Sequence, residues 1–234
     1  MTDVTSAETQ RPPSPDNLRQ MQEQRMREIL DPSHSALLVI DMQEDFVGSN
    51  GKASTLWHQD IEPMQRIVPT IQDMVDLFRE QGRPVIWTRT FEDPEDRSVA
   101  GLDRFIFFEK GDKEGEVACL RGTPGAELVM EPAEGEVIID KIKGSAFVGT
   151  DLEKWLEKNG VKTVMVVGVK TQRCVGSTVK DLYDHGKTHV VVLEDCVGSD
   201  SQEQHDATIK ELRTFYPPVT TSDVVKKAWA KPKI

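Results

Sequence analysis

Thr163–His185 reads TVMVVGVKTQRCVGSTVKDLYDH: a β-branched run, a glycine, a short turn, and a cysteine ahead of a helical pattern. Val164 to Val169 has the character of a short strand buried on both faces, and Gly168 near its end admits a backbone path closed to most residues. The spacing predicts a tight strand-to-helix turn that sets Cys174 at the head of the helix. There, unpaired N–H groups and the positive end of the helix dipole would lower the thiol pKa and favour the thiolate. A small buried hydrophobe would look the same in this stretch alone. The rest of the chain has to decide between nucleophile and core filler.

Working outward, the same rhythm recurs. Ala36–Ile40 (ALLVI) is a continuous apolar strand that stops at Asp41, a carboxylate that is costly at a buried strand end unless it is paired. Pro63–Gln81 carries Met64, Ile67, Val68, Ile71, Met74, Val75 and Phe78 on one helical face, and Gly82 closes it. Pro84–Arg89 (PVIWTR) is the next strand, which makes a right-handed βαβ unit. Further strands are predicted at Glu136–Asp140, His189–Leu193 and from Val219, with helices at 151–159, 202–215 and up to Ala230. The alternation of about six strands with helices indicates an open, mostly parallel α/β sheet covered on both faces. Ligands in such sheets bind beyond the carboxyl ends of the strands, and Asp41, Lys141 and Cys174 all fall at such ends.

Residues 1–15 are polar and proline-rich and are expected to form a disordered tail, leaving 16–234 as a single domain. That domain opens with a helix at 16–31, capped by Asp16 and packed on the core or on a partner subunit. Residues 90–126 break the rhythm with many charges, the cluster Phe105, Ile106, Phe107, Phe108 and a glycine-rich stretch. A connection this long in a compact domain is expected to cover the substrate, although the phenylalanines read equally well as satellite core.

Composition narrows the function classes. In 234 residues with 37% hydrophobic content there is enough apolar side chain for a sizeable core. A net charge of -11 argues against a nucleic-acid partner. The three cysteines, Cys119, Cys174 and Cys196, lack the spacing of a disulfide framework or a zinc cluster and fit a reducing compartment. With no signal-peptide pattern and no apolar run of about 18 residues, a soluble cytoplasmic protein without a membrane segment is expected.

The blocks VIDMQEDF (39–46), DKIKGSAFVGTDL (140–152) and GVKTQRCVGST (168–178), in that order, resemble the isochorismatase-like cysteine hydrolase family over roughly Ala36 to Gly198. The resemblance implies a three-layer α/β/α sandwich with a six-stranded parallel sheet. It implies a homo-oligomer, dimer or tetramer, and a triad that hydrolyses small amides. Matched residue by residue, Asp41 takes the place of the general base, Lys141 of the lysine and Cys174 of the nucleophile. Lys143 lies close enough that strand periodicity alone cannot exclude it. The family's oxyanion hole maps onto the backbone N–H groups of Lys170 and Cys174, with a cis peptide before Lys170, and Phe46 matches its aromatic wall.

The chemistry explains these residue types. A lysine ammonium favours the thiolate, the aspartate takes the thiol proton and returns it to the leaving amine, and water releases the acyl group. Arg89, Arg104 and Arg121 are candidates for a carboxylate or ureido oxygen, and Phe107 for a further substrate contact. Asp45 reads as a structural carboxylate, and Cys196 as packing. Nicotinamidase-type members carry an Asp-x-His-x-His metal site after the second strand, where this chain reads TRTFEDPEDR (88–97), so no metal and no cofactor are expected. Isochorismatase proper cleaves a vinyl ether and lacks the cysteine, so Cys174 favours a small amide, carbamoyl or ureido substrate resembling those of N-carbamoylsarcosine amidase and the biuret and ureidoacrylate hydrolases. The rivals are vinyl-ether hydrolysis, a silent binding or scaffold protein, and a thiol redox pair of Cys174 with Cys196.

Overall fold

The computed structural model describes residues 14–92 and 117–230. Six strands form one sheet: β1 (Ser35–Ile40), β2 (Val85–Thr90), β3 (Val137–Lys141), β4 (Thr163–Val169), β5 (His189–Gly198) and β6 (Val219–Thr220). Their order is β3-β2-β1-β4-β5-β6 and every pairing is parallel. The chain winds outward from β1 to β3, returns to β4 beside β1, and winds outward the other way. The switch point between β1 and β4 is where such sheets hold their ligands.

Strand alternation sorts the apolar residues into two cores. Leu37 and Val39 of β1 and Met165, Val167 and Val169 of β4 point to one face. There they meet Ile71, Met74, Val75 and Phe78 of α5 (Val68–Glu80) and Val225 and Trp229 of the C-terminal helix. Ala36, Leu38 and Ile40 with Val164 and Val166 point to the other face, against α6 (Leu152–Lys158), α7 (Gly176–His185) and α8 (Gln202–Phe215). The result is the expected three-layer α/β/α arrangement, with α9 (Ser222–Trp229) closing the first face.

Several elements depart from the sequence reading for identifiable reasons. Helix α1 (Pro15–Ile29) is capped by Ser14, whose Oγ accepts the Asn17 N–H at 3.3 Å, and not by Asp16. Of α1 only Ile29 is buried, while Leu18 and Met21 are exposed. The helix expected over 63–81 is two, α4 (Glu62–Arg66) and α5, because Pro69 in the first turn of α5 brings no N–H to continue the ladder. Strand β5 runs five residues beyond Leu193, because its register against β4 jumps from Val166↔Val192 to Gly168↔Val197. A bulge of this kind lets a strand absorb polar residues and continue. Within it, Asp195 accepts the N–H of Ser222 at 2.8 Å and its hydroxyl at 2.6 Å, fastening the start of α9.

Of the expected covering segment, 93–116, with Arg104 and Phe107, lies outside the described residues. The described end, 117–126, is tied to the sheet through Gln43 and Asp45. Gln43 is fully buried; its amide donates to the carbonyls of Thr90 (3.0 Å) and Ala126 (2.8 Å) and accepts the Thr90 N–H (2.8 Å). Asp45 on α2 (Glu44–Val47) accepts the N–H of Cys119 at 2.7 Å and that of Lys52, on the short helix α3 (Lys52–Thr55), at 3.1 Å. Asp45 is therefore the structural carboxylate the sequence suggested. No described helix is long and apolar enough to cross a membrane.

Candidate active site

Asp41, Lys141 and Cys174 meet at the carboxyl edge of β1, β3 and β4. Asp41 leaves β1 with a left-handed backbone (φ 48°), which turns its carboxylate across the strand ends. Lys141 Nζ lies 2.7 Å from Asp41 Oδ2, and both side chains are wholly withdrawn from water. Thr88 on β2 completes the carboxylate's setting: its hydroxyl donates to Asp41 Oδ1 at 2.6 Å and accepts the Asp41 N–H at 3.2 Å. Lys141 also donates to the Lys143 carbonyl at 3.0 Å. Strand β3 ends at Lys141, and Lys143 contributes a backbone oxygen to this ammonium.

Cys174 lies in a wide π turn, Thr171–Val175, that links β4 to α7. Its thiol feels both charges, the Asp41 carboxylate opposing loss of its proton and the Lys141 ammonium favouring it. Two features of the opening stretch build this turn. Gly168 has φ 114°, and a Cβ there would stand 2.1 Å from the Ile40 carbonyl oxygen, so only glycine lets β4 approach β1 this closely. The Val169–Lys170 peptide bond is cis, as the resemblance implied. Thr171 is fully buried with its Oγ1 2.9 Å from His205 Nδ1 on α8. The Gly-Ser-Ala-Phe block docks on α7 through a 3.0 Å bond from the Ala146 N–H to Thr178 Oγ1, which steadies the loop after Lys141.

The electrostatics correct one expectation. The Cys174 thiol is pushed up to about 12, first by burial and then by the Asp41 carboxylate, against the pull of Lys141. Cys174 precedes α7 by two residues, and in this buried turn desolvation outweighs any helix-terminus effect. The resting state is thus a neutral thiol beside an ion pair. Burial also pulls the Lys141 ammonium down, but the Asp41 carboxylate beside it more than offsets this and holds the group above its ordinary value.

Other candidates fall elsewhere. Arg89, expected to meet substrate, has its guanidinium held by Asp140 at 2.9 Å, and strand alternation turns both to the face opposite Thr88 and Lys141. Arg121 shares that carboxylate at 2.9 Å and stacks on Phe91. Phe46 is nearly buried in α2, with Lys170 Nζ 5.8 Å from its ring centre. Cys196 belongs to the core on the opposite face of the sheet from Cys174, which removes the redox pair. Among the described residues, no three His, Cys, Asp or Glu side chains group so as to hold a metal ion. Thr88 was the residue missed; in PVIWTR it is only a strand threonine, and its role depends on the β1–β2 register that places Val39 beside Trp87.

Comparison with known proteins agrees with this architecture. The Isochorismatase domain family matches residues 35–224, and the chain belongs to that family. A protein of Arabidopsis thaliana named as a probable inactive nicotinamidase is 33% identical over 78% of this chain and 89% of its own. The N-carbamoylsarcosine amidase of an Arthrobacter species is 31% identical over 56% of this chain and 49% of its own. The crystal structure of an isochorismatase family protein from Desulfovibrio vulgaris superposes with a TM-score of 0.71 at 28% identity, covering 85% of this chain and 99% of that one. The family is one of hydrolases, and relatives named as amidases are among its members.

Proposed function

We propose that the protein is a cysteine hydrolase that cleaves the C–N bond of a small amide, carbamoyl or ureido compound through an acyl-thioester on Cys174. The observation that carries this reading is the fully buried Asp41–Lys141 ion pair, whose two charges both act on the buried Cys174 thiol. Among the described residues Asp41 Oδ2 has Lys141 beside it but no well-aligned hydrogen-bond donor, which leaves a lone pair to receive a proton.

In this mechanism the thiol proton passes to Asp41 as Sγ bonds to the substrate carbonyl carbon. The carbonyl oxygen becomes an oxyanion received by the N–H groups of Lys170 and Cys174, each such donor being worth about 2.7 to 4 kcal/mol. Asp41 then protonates the leaving nitrogen as the C–N bond breaks. Water, deprotonated by Asp41, attacks the thioester and restores the thiol. Lys141 remains an ammonium and offsets the negative charge as it moves between carboxylate, sulfur and oxygen. Phe46 would wall the substrate.

A relative named as probably inactive favours a second reading, a silent binding protein with the same fold. Ammonia release across a panel of small amides and ureido acids separates the two. The hydrolase reading expects at least one compound to turn over catalytically; a panel bound but never cleaved would overturn it.

A further inference from the structure

Lys170 begins the turn that carries Cys174, and its backbone N–H has the proposed oxyanion role. Its side chain has no part in that chemistry, yet it is placed with care. The ammonium donates to Gln59 Oε1 at 2.8 Å and to Asp200 Oδ2 at 2.9 Å, and lies 5.8 Å from the centre of the Phe46 ring. Both members of the Lys170–Asp200 pair are largely withdrawn from water, at 13% and 15% side-chain exposure. An ammonium removed from water needs compensation from the groups around it.

The charge balance around the pair is uneven. Asp200 is supplied by three donors: Lys170 at Oδ2, and the Gln172 amide (3.3 Å) and Ser199 hydroxyl (3.4 Å) at Oδ1. Burial works to raise its carboxyl, but Lys170 foremost, with its own backbone N–H and the Gln172 amide, holds it below the usual range. Lys170 has three N–H donors and, among the described residues, two acceptors. Among the described residues one N–H of this poorly solvated cation is therefore left without an acceptor, 5.8 Å from the centre of the Phe46 ring and on the residue that opens the turn leading to Cys174. Among the described residues, Asp41 is paired with Lys141 and Arg173 with Glu92.

We propose that Lys170 is a specificity-determining residue, whose ammonium binds a carboxylate on the substrate a short spacer away from the scissile amide. Asp200 and Gln59 hold the ammonium in place, so little ordering is needed when the anion arrives. The substrate class is then the amido and carbamoyl acids, not their neutral counterparts. This inference rests on the hydrolase reading for its catalytic meaning, but its binding claim can be tested without turnover.

The test compares succinamate with 4-methylpentanamide, which sets an uncharged isopropyl group where the carboxylate stands. Calorimetry on the full-length Cys174→Ala protein measures binding of each, with and without Lys170→Met. Binding of succinamate at least tenfold tighter than of the neutral amide is expected, with that preference lost in Lys170→Met and largely recovered in Lys170→Arg. In the enzyme with Cys174 intact, Lys170→Met should lower the acid-to-neutral ratio of kcat/KM by at least tenfold, chiefly through KM for the acid. Equal binding of the two probes, no binding of the acid, or a preference that survives Lys170→Met would overturn the inference. The comparison of the two probes needs no Lys170 variant, so a misfolded substitution leaves the question decidable. Charge-selective binding without any hydrolysis would overturn the proposed activity and leave this inference standing; hydrolysis indifferent to charge would do the reverse.

Discussion

Asp41 and Lys141 lie 2.7 Å apart with no exposure to water, and removing either leaves an uncompensated buried charge. Lys141→Ala should cost about 3 to 5 kcal/mol of stability and abolish turnover. Lys143→Ala should do neither, because its backbone carbonyl, which truncation leaves in place, is what meets the Lys141 ammonium. Urea denaturation and ammonia release on both variants check this; the reverse pattern would move the lysine role to Lys143. Asp41→Asn gives a sharper test of the thiol. Loss of the carboxylate removes a cause that pushes the thiol up, so the thiolate fraction should rise, about tenfold in iodoacetamide reactivity for each unit by which the pKa falls. Turnover should nevertheless collapse, because the proton acceptor is gone. An enzyme that alkylates faster and also hydrolyses undiminished would show that Asp41 is not the base.

At the level of elements, the β4 turn depends on one backbone position. Gly168→Ala would set a Cβ 2.1 Å from the Ile40 carbonyl oxygen at a φ of 114°, and an expected loss of about 3 kcal/mol or more follows from strain and steric overlap together. Urea unfolding measures it, and a variant as stable as the parent would contradict the close β1–β4 approach. This glycine was legible in the sequence, because a β-branched run gains nothing from a residue without a side chain unless the backbone there must bend or pass close to a neighbour. The β5 bulge was not. Glu194 and Asp195 look like the end of a strand until the register jump turns Asp195 onto the start of α9, a pairing set by residues far apart in the chain. Thr88 is unmarked in the sequence for the same reason, since only the sheet register brings it to Asp41.

Across the whole molecule, the layers and the three strand-end residues could be read from apolar runs and motif order, whereas substrate contacts could not. Arg89 shows why: its type suits a carboxylate, but strand alternation gives it to Asp140. The buried thiols also predict the alkaline behaviour of the fold. Cys174 is held near 12 against an ordinary value of 9, and burial moves Cys119 and Cys196 in the same direction. A proton kept only by the folded state stabilises it. That contribution is complete below pH 9 and disappears as pH rises toward 12, at about 1.4 kcal/mol per pH unit for each such group. Unfolding free energy should therefore fall above pH 9, less steeply in Cys174→Ala; a pH-independent stability from 9 to 11 would contradict the buried neutral thiols. Because no described cluster offers three ligands for a metal, chelator treatment should leave turnover unchanged, and a chelator-sensitive enzyme would refute that reading. The central claim is nucleophilic attack by Cys174, and the most direct measurement is ammonia release by Cys174→Ala on whichever amide the parent cleaves fastest. A loss of at least about ten-thousand-fold, with circular dichroism unchanged, is predicted; turnover close to that of the parent would contradict it.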